Sequence, residues 1–265
     1  MRATVAQYYP GESPLHRLDP RTKIVATTIM AVALFTRDSF TALAVYAAAA
    51  VVAIALSRVP LNWFWRGMKP VLWLVGLTFL AQVLFVPGEA FFRLGPLRLS
   101  WHGLELAGYL SLRLIVLVLL GSLLPLTTSP IALTDGLAWL TRPLRRLRVP
   151  TEEFAVMVTI ALRFIPTLLA ELETIMRAQW ARGADFSHGG PLRRARALVP
   201  VLVPLFVVSF RRADDLALAM EARCFVPGGR RTRLHPLRAG VEDWVTLLVV
   251  AVVVAAAIVA AELLT

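Results

Sequence analysis

Six uncharged, largely apolar stretches punctuate this chain: Ile24–Thr36, Ser39–Ser57, Pro70–Val86, Leu114–Thr134, Ala197–Phe210 and Trp244–Ala261. In lipid a backbone must satisfy its own polar groups, so such runs dictate helices. A helix needs about 20 apolar residues to cross about 30 Å of hydrocarbon, and about 17 suffice. Ser39–Ser57, Leu114–Thr134 and Trp244–Ala261 meet that length outright. Ile24–Thr36 is expected as a further span once Thr22 and Lys23 are added, 15 residues in all, with the lysine snorkelling to the interface. Pro70–Val86 meets the length narrowly. Ala197–Phe210 does not, because its 14 residues rise only about 21 Å and Pro200 and Pro204 interrupt them. It is expected as a buried or re-entrant piece that does not cross. The expectation is an all-α membrane protein with about five transmembrane helices. A hydrophobic content of 58% agrees, since soluble domains hold about 45–50%.

Charge sorts the loops. The chain carries 28 basic and 17 acidic residues, a net charge of +11, and its only lysines are Lys23 and Lys69. A nucleic-acid-binding domain would need a soluble surface to carry that excess. The positive-inside bias of membrane proteins accounts for it more directly. With the N-terminus inside, the inner loops hold Arg2, Arg17, Arg21 and Lys23, then Arg58, Arg66 and Lys69. Trp63 and Trp65 beside Arg66 fit an interfacial aromatic belt. The outer loops hold Arg37 beside Asp38, and Glu89, Arg93, Arg98 and Glu105. Residues 141–240 contain 17 arginines and 8 carboxylates, so 17 − 8 = +9 of the excess falls there. The chain therefore divides into spans one to four (1–134), a cytoplasmic or interfacial segment (135–240) and a last span (241–265). Cys224 is the only cysteine, which precludes an internal disulfide. Polar and turn residues through Pro20 do not read as a signal peptide, so the first apolar helix is expected to be retained.

The internal segment has helical periodicity. Thr151 followed by Glu152 and Glu153 marks a helix start, with acids favoured by the dipole. Apolar residues recur at Phe154, Val158, Leu162, Ile165, Leu169, Leu172 and Met176, an amphipathic stripe. Arg163 lies within it, and Pro166 predicts a kink. Gly183 ends this helix after Ala181-Arg182. A second helix is expected from about Phe206 to Arg223, ending at Ala222-Arg223-Cys224. Both thus close on Ala-Arg, 41 positions apart (223 − 182). From the residues alone each arginine has two readings. One is a helix C-terminal cation, contributing about 0.3–1 kcal/mol through the dipole. The other is a projecting guanidinium that pairs with carboxylates of a soluble partner.

Other classes fit less well. His16, His102, His188 and His235 show no metal-binding spacing, and Asp214-Asp215 reads as ion-paired with Arg211 and Arg212. No G-x-x-x-x-G-K-[ST] phosphate loop occurs. No catalytic residue, metal site or cofactor is expected. A membrane-embedded enzyme and a self-sufficient secondary transporter are the alternatives. The latter would usually need intramembrane charges or paired broken helices, and the five spans contain no acidic residue. Arg113 and Glu105 border the fourth.

An ordered set of motifs resembles one family. It comprises Leu18-Asp19-Pro20-Arg21-Thr22-Lys23, Thr127-Thr128-Ser129-Pro130, Arg142-Pro143-Leu144-Arg145 and Leu162-Arg163-Phe164-Ile165-Pro166. Ala178-Gln179-Trp180-Ala181-Arg182-Gly183-Ala184-Asp185 follows, then Arg211-Arg212-Ala213-Asp214 and Ala219-Met220-Glu221-Ala222-Arg223. Together they resemble the transmembrane T component of energy-coupling factor (ECF) transporters, a CbiQ/EcfT-like family. The resemblance implies a multi-pass protein of the prokaryotic cell (inner) membrane. It would couple two cytoplasmic ABC ATPase subunits to a small substrate-binding membrane protein, the S component, for uptake of a vitamin or transition metal. Its partners would thus be those subunits and the lipid bilayer, with no nucleic acid. The ATPase-coupling residues would be Ala181, Arg182, Gly183, Ala222 and Arg223. Arg163, Pro166, Gln179, Asp185, Arg212, Asp214 and Glu221 would support them. Cys224 departs from the family's glycine, and a left-handed backbone there would cost about 1 kcal/mol or more.

Overall fold

The computed structural model describes residues 8–86, 90–94, 97–147, 150–184, 186, 190–226 and 239–263. It is an all-α membrane protein apart from one short hairpin. The helices are α1 (Pro14–Arg17), α2 (Pro20–Ala33), α3 (Phe40–Ser57), α4 (Leu61–Phe85), α5 (Trp101–Thr127), α6 (Pro130–Leu140), α7 (Thr151–Ala181), α8 (Pro191–Ala222) and α9 (Val241–Leu263). Strands β1 (Ala90–Leu94) and β2 (Leu97–Ser100) pair antiparallel between α4 and α5. A 3-10 turn, Arg142–Leu147, follows α6. Two compact units result: 1–140 with 235–265, and 141–234.

In the first unit α2, α3, α4, α5 and α9 run alternately between two ends. At one end Lys23 of α2 meets Thr127 of α5, and Asp19 meets Asp243 of α9. At the other, Arg37 pairs with Glu262 at 2.8 Å, and Tyr109 donates to the Arg37 carbonyl. Small side chains let α3 and α9 approach: Ala42, Ala50, Ala257 and Ala261 are all buried. Leu43, Tyr46, Val116 and Leu120 complete the core. Large apolar side chains such as Trp73, Phe85 and Leu248 face outward. In water that would be a liability; against lipid tails it costs nothing.

Among the described residues, length and composition identify α3, α4, α5, α7 and α9 as long and apolar enough to cross a membrane. The number matches the expected five, but the membership differs. α2 has only 14 residues, about 21 Å of helix, because the chain turns at Leu34–Thr36 through bonds to Val32 and Ala33. α7, expected as an amphipathic internal helix, has 31 residues and qualifies. Three further expectations are corrected. The fourth span starts earlier and stops at Thr127, not Thr134, because Pro130 opens a new helix. Its start at Trp101 takes in Glu105 and Arg113. Lys23 does not snorkel: it is 8% exposed, and its ammonium donates inward to three oxygens. Finally, Pro200 and Pro204 do not break the chain, which forms one 32-residue helix, α8, where a short piece and a separate helix were expected.

Candidate functional site

The second unit is built on α7 and α8, which pack against each other. Glu152 and Glu153 occupy the first turn of α7 as expected. Pro166 and Arg163 both lie exposed within it. The two prolines of α8 acquire a use here. Proline 204 has no N–H to give the carbonyl four residues earlier. That orphaned Pro200 oxygen accepts instead from the Gln179 side-chain amide, at 3.3 Å. The last turn of α7 is thereby tied to a defined point on α8.

Both helices close in the same way. At the end of α7 the Ala184 N–H bonds to the Gln179 carbonyl at 3.0 Å, and the Gly183 N–H to that of Trp180 at 2.9 Å. At the end of α8 the Phe225 N–H bonds to the Met220 carbonyl at 3.0 Å, and the Cys224 N–H to that of Glu221 at 2.9 Å. Each is a Schellman motif, a 6→1 and a 5→2 bond around one left-handed residue. Gly183 takes φ +86°, and Cys224 takes φ +54°. The left-handed backbone is therefore present at Cys224 despite its Cβ. In both motifs the preceding residue is arginine: Arg182 at φ −88°, ψ 6° and Arg223 at φ −96°, ψ 16°.

These geometries present the arginines alike. Ala181, Arg182, Gly183, Ala222, Arg223 and Cys224 are all exposed. Among the described residues neither arginine makes an ion pair. The structure does not bring the two together. Gln179 contacts Pro200, and Arg223 lies 23 residues beyond it (223 − 200). At 1.5 Å per residue the two guanidinium-bearing ends stand roughly 30–35 Å apart.

The supporting residues divide. Gln179 is engaged as described. Glu221 lends its carbonyl to the second motif. Arg212 is half-buried and Asp214 exposed. Among the described residues no ion pair joins Asp214 or Asp215 to Arg211 or Arg212, which corrects that expectation. The order is the reason: an acid C-terminal to its base on a helix is the weaker arrangement. Asp185 lies outside the described residues, as do 227–238. Around the site α8 leaves Leu202, Val203, Phe206 and Phe210 exposed, with the two phenyl rings stacked at 6.4 Å.

The first unit holds two polar clusters. At the Arg37 end, Arg113 is buried, pairs with Asp38 at 2.8 Å and lies 4.3 Å over the Phe35 ring. Arg113 and Asp38, with Phe40, His102, Glu105 and Tyr109, line a cavity of about 290 Å³. Among the described residues no three His, Cys, Asp or Glu side chains gather in a metal-binding group. At the opposite end Asp19, Arg21, Lys23 and Asp243 converge. Sequence reasoning missed this convergence because only the tertiary fold brings α2, α5 and α9 together. The signal was there in the Asp19-Pro20 helix start, where Asp19 caps the Arg21 N–H and proline takes the first helical position.

Comparison with known proteins gives one consistent result. The family model CbiQ, described as cobalt transport protein, matches residues 11–235. Curated relatives carry the name energy-coupling factor transporter transmembrane protein EcfT. That of Thermanaerovibrio acidaminovorans is 51% identical over 255 residues, covering 96% of this chain and 94% of the relative. That of Thermosediminibacter oceani is 51% identical over 235 residues, 89% of each chain. That of Bacillus subtilis is 41% identical over 255 residues, 96% of each.

Proposed function

Since the chain belongs to the CbiQ family and is the transmembrane component of an energy-coupling factor transporter, we propose that it couples two cytoplasmic ATPase subunits to uptake through a substrate-binding membrane partner, with Arg182 and Arg223 as the docking points. The observation that carries this reading is the matched pair of Schellman ends. Each holds an exposed arginine, without an ion-pair partner among the described residues, at the same backbone position just beyond the last helical residue. A dipole-stabilising role would require neither the matched geometry nor the exposure. A separation of roughly 30–35 Å suits one arginine per partner subunit better than two in one groove. Guanidinium groups so placed can form bidentate pairs with carboxylates in clefts of the partner.

Sidedness follows from charge. Arg17, Arg21, Lys23, Arg58, Arg66 and Lys69 fall at the end of the first unit where the chain leaves for residues 141–234, the end that basic residues assign to the cytoplasm. On this reading α7 lies along the interface, although its length would let it cross, because it pairs with α8 in one compact unit. The apolar face at Leu202, Phe206 and Phe210 is then available to the bilayer and the substrate-binding partner. The transported vitamin or metal is selected by that partner.

The test is co-purification. Arg182→Ala combined with Arg223→Ala is expected to abolish recovery of the ATPase subunits with the tagged protein, and each single variant to reduce it. Full recovery with the double variant sinks the proposal.

A further inference from the structure

The chain leaves the first unit at Leu140, the end of α6, and rejoins it just before α9. Within that unit both connections are fastened to the same five residues, Asp19–Lys23. On the outgoing side the Arg21 guanidinium lies 4.5 Å over the ring of Trp139, one residue before the exit. Gly136 runs so close to α2 that a Cβ there would stand 3.0 Å from Ile24 Cδ1 and 3.1 Å from Pro20 Cβ. The Lys23 ammonium donates to the Thr127 carbonyl at 3.0 Å and Thr128 Oγ1 at 3.2 Å, where α5 gives way to α6. On the returning side both oxygens of Asp243 accept backbone N–H groups. One comes from Asp19 at 2.8 Å, the other from Gly240, the residue before α9, at 2.7 Å.

We propose that Asp19, Arg21, Lys23 and Asp243 form a transmission anchor, a set of positioning residues that fixes both chain connections to the start of α2. Displacement of residues 141–234 then reaches the bundle as joint movement of α2, the end of α5 and the start of α9. The inference rests on the coupling reading above. Three observations carry it. The anchor residues Asp19, Lys23 and Asp243 are 6%, 8% and 5% exposed. Pulling any of them free would orphan a buried charge or backbone donor, so the knot moves as one body. Its two carboxylates balance its two cations. And it grips both ends of the excursion, whereas a purely structural clamp would need only one. A flexible linker at either crossing would dissipate a displacement; a close-packed polar junction transmits it.

The test uses the transporter purified with its ATPase subunits in lipid nanodiscs. Hydrogen–deuterium exchange is followed with and without ATP plus orthovanadate, for the native protein and for Lys23→Met, Asp243→Asn and Arg21→Leu. In the native complex nucleotide is expected to change exchange in 151–181 and 191–222, and also in 20–33 and 241–263. In the variants the first change persists while the second falls at least fourfold, with Arg21→Leu the mildest. Should Lys23→Met fail to accumulate, the other two decide. A nucleotide response in 20–33 and 241–263 of native size in those variants overturns the anchor, even if exchange there is raised in both nucleotide states. So does a native response confined to 151–222. No nucleotide response in 151–181 or 191–222 of the native complex would instead overturn the coupling reading.

Discussion

Gly183→Ala isolates what the left-handed turn contributes to presenting Arg182. At φ +86° an added Cβ crowds the backbone, a local cost of about 1–2 kcal/mol. No atom lies within 4 Å of where that Cβ would sit, so no tertiary clash adds to it. Alanine also restricts the unfolded chain, which returns about 0.5–1 kcal/mol. The net destabilisation of the turn is thus about 1 kcal/mol, a factor of about 5 in its opening equilibrium. The natural reporter is the Ala184 amide, which donates the 6→1 bond; its hydrogen exchange, read by mass spectrometry, should accelerate about fivefold. Cys224→Gly is the reciprocal change at φ +54°. Relief of strain there exceeds the added freedom of the unfolded chain by the same margin of about 1 kcal/mol, so the Phe225 amide should slow by about fivefold. ATPase recovery should move with exchange in each case. Unchanged Ala184 exchange in Gly183→Ala, or faster Phe225 exchange in Cys224→Gly, would refute the claim that the turns hold the arginines.

Gly136→Val forces a branched side chain into the contact with Pro20 and Ile24 and should cost about 1–3 kcal/mol; an unaltered thermal midpoint by tryptophan fluorescence would contradict the close approach. Asp38→Ala removes the Arg113 partner, but the Asp38 side chain is 80% exposed, so screening should hold the loss below about 1 kcal/mol and the midpoint should shift by only a few degrees. Cys224, free and exposed, should react with a membrane-impermeant maleimide in inverted vesicles and not in intact cells. The opposite pattern would place α8's end outside.

What the sequence could reveal depended on whether the cause was local. The ends of α7 and α8 were legible because a left-handed residue after Ala-Arg is a local demand, written at Gly183 and recognisable by position at Cys224. The long spans were legible because lipid leaves helices no alternative. α5 read as starting only at Leu114 because Glu105 and Arg113 cut its apolar run; Arg113 is accommodated by Asp38 and the Phe35 ring, partners 75 and more residues away. α8 read as broken because proline removes helix bonds. One lost bond is replaced by Gln179, a compensation no window along the chain contains. Lys23 read as snorkelling for the same reason, since its acceptors Thr127 and Thr128 lie more than 100 residues away.

The second motif separates geometry from chemistry. If the glycine itself were the requirement, Cys224 would break the pattern and α8 would end differently from α7. It does not: the two turns share their bonds, the sign of φ and the conformation of the arginine before it. The requirement is a backbone state, which glycine adopts freely and cysteine adopts at a cost of about 1–2 kcal/mol. A helix end of 32 residues, with two bonds closing it, can sustain that cost. On the coupling reading proposed above, strain retained at this exposed position is kept for what the neighbouring side chain does, and that neighbour is Arg223.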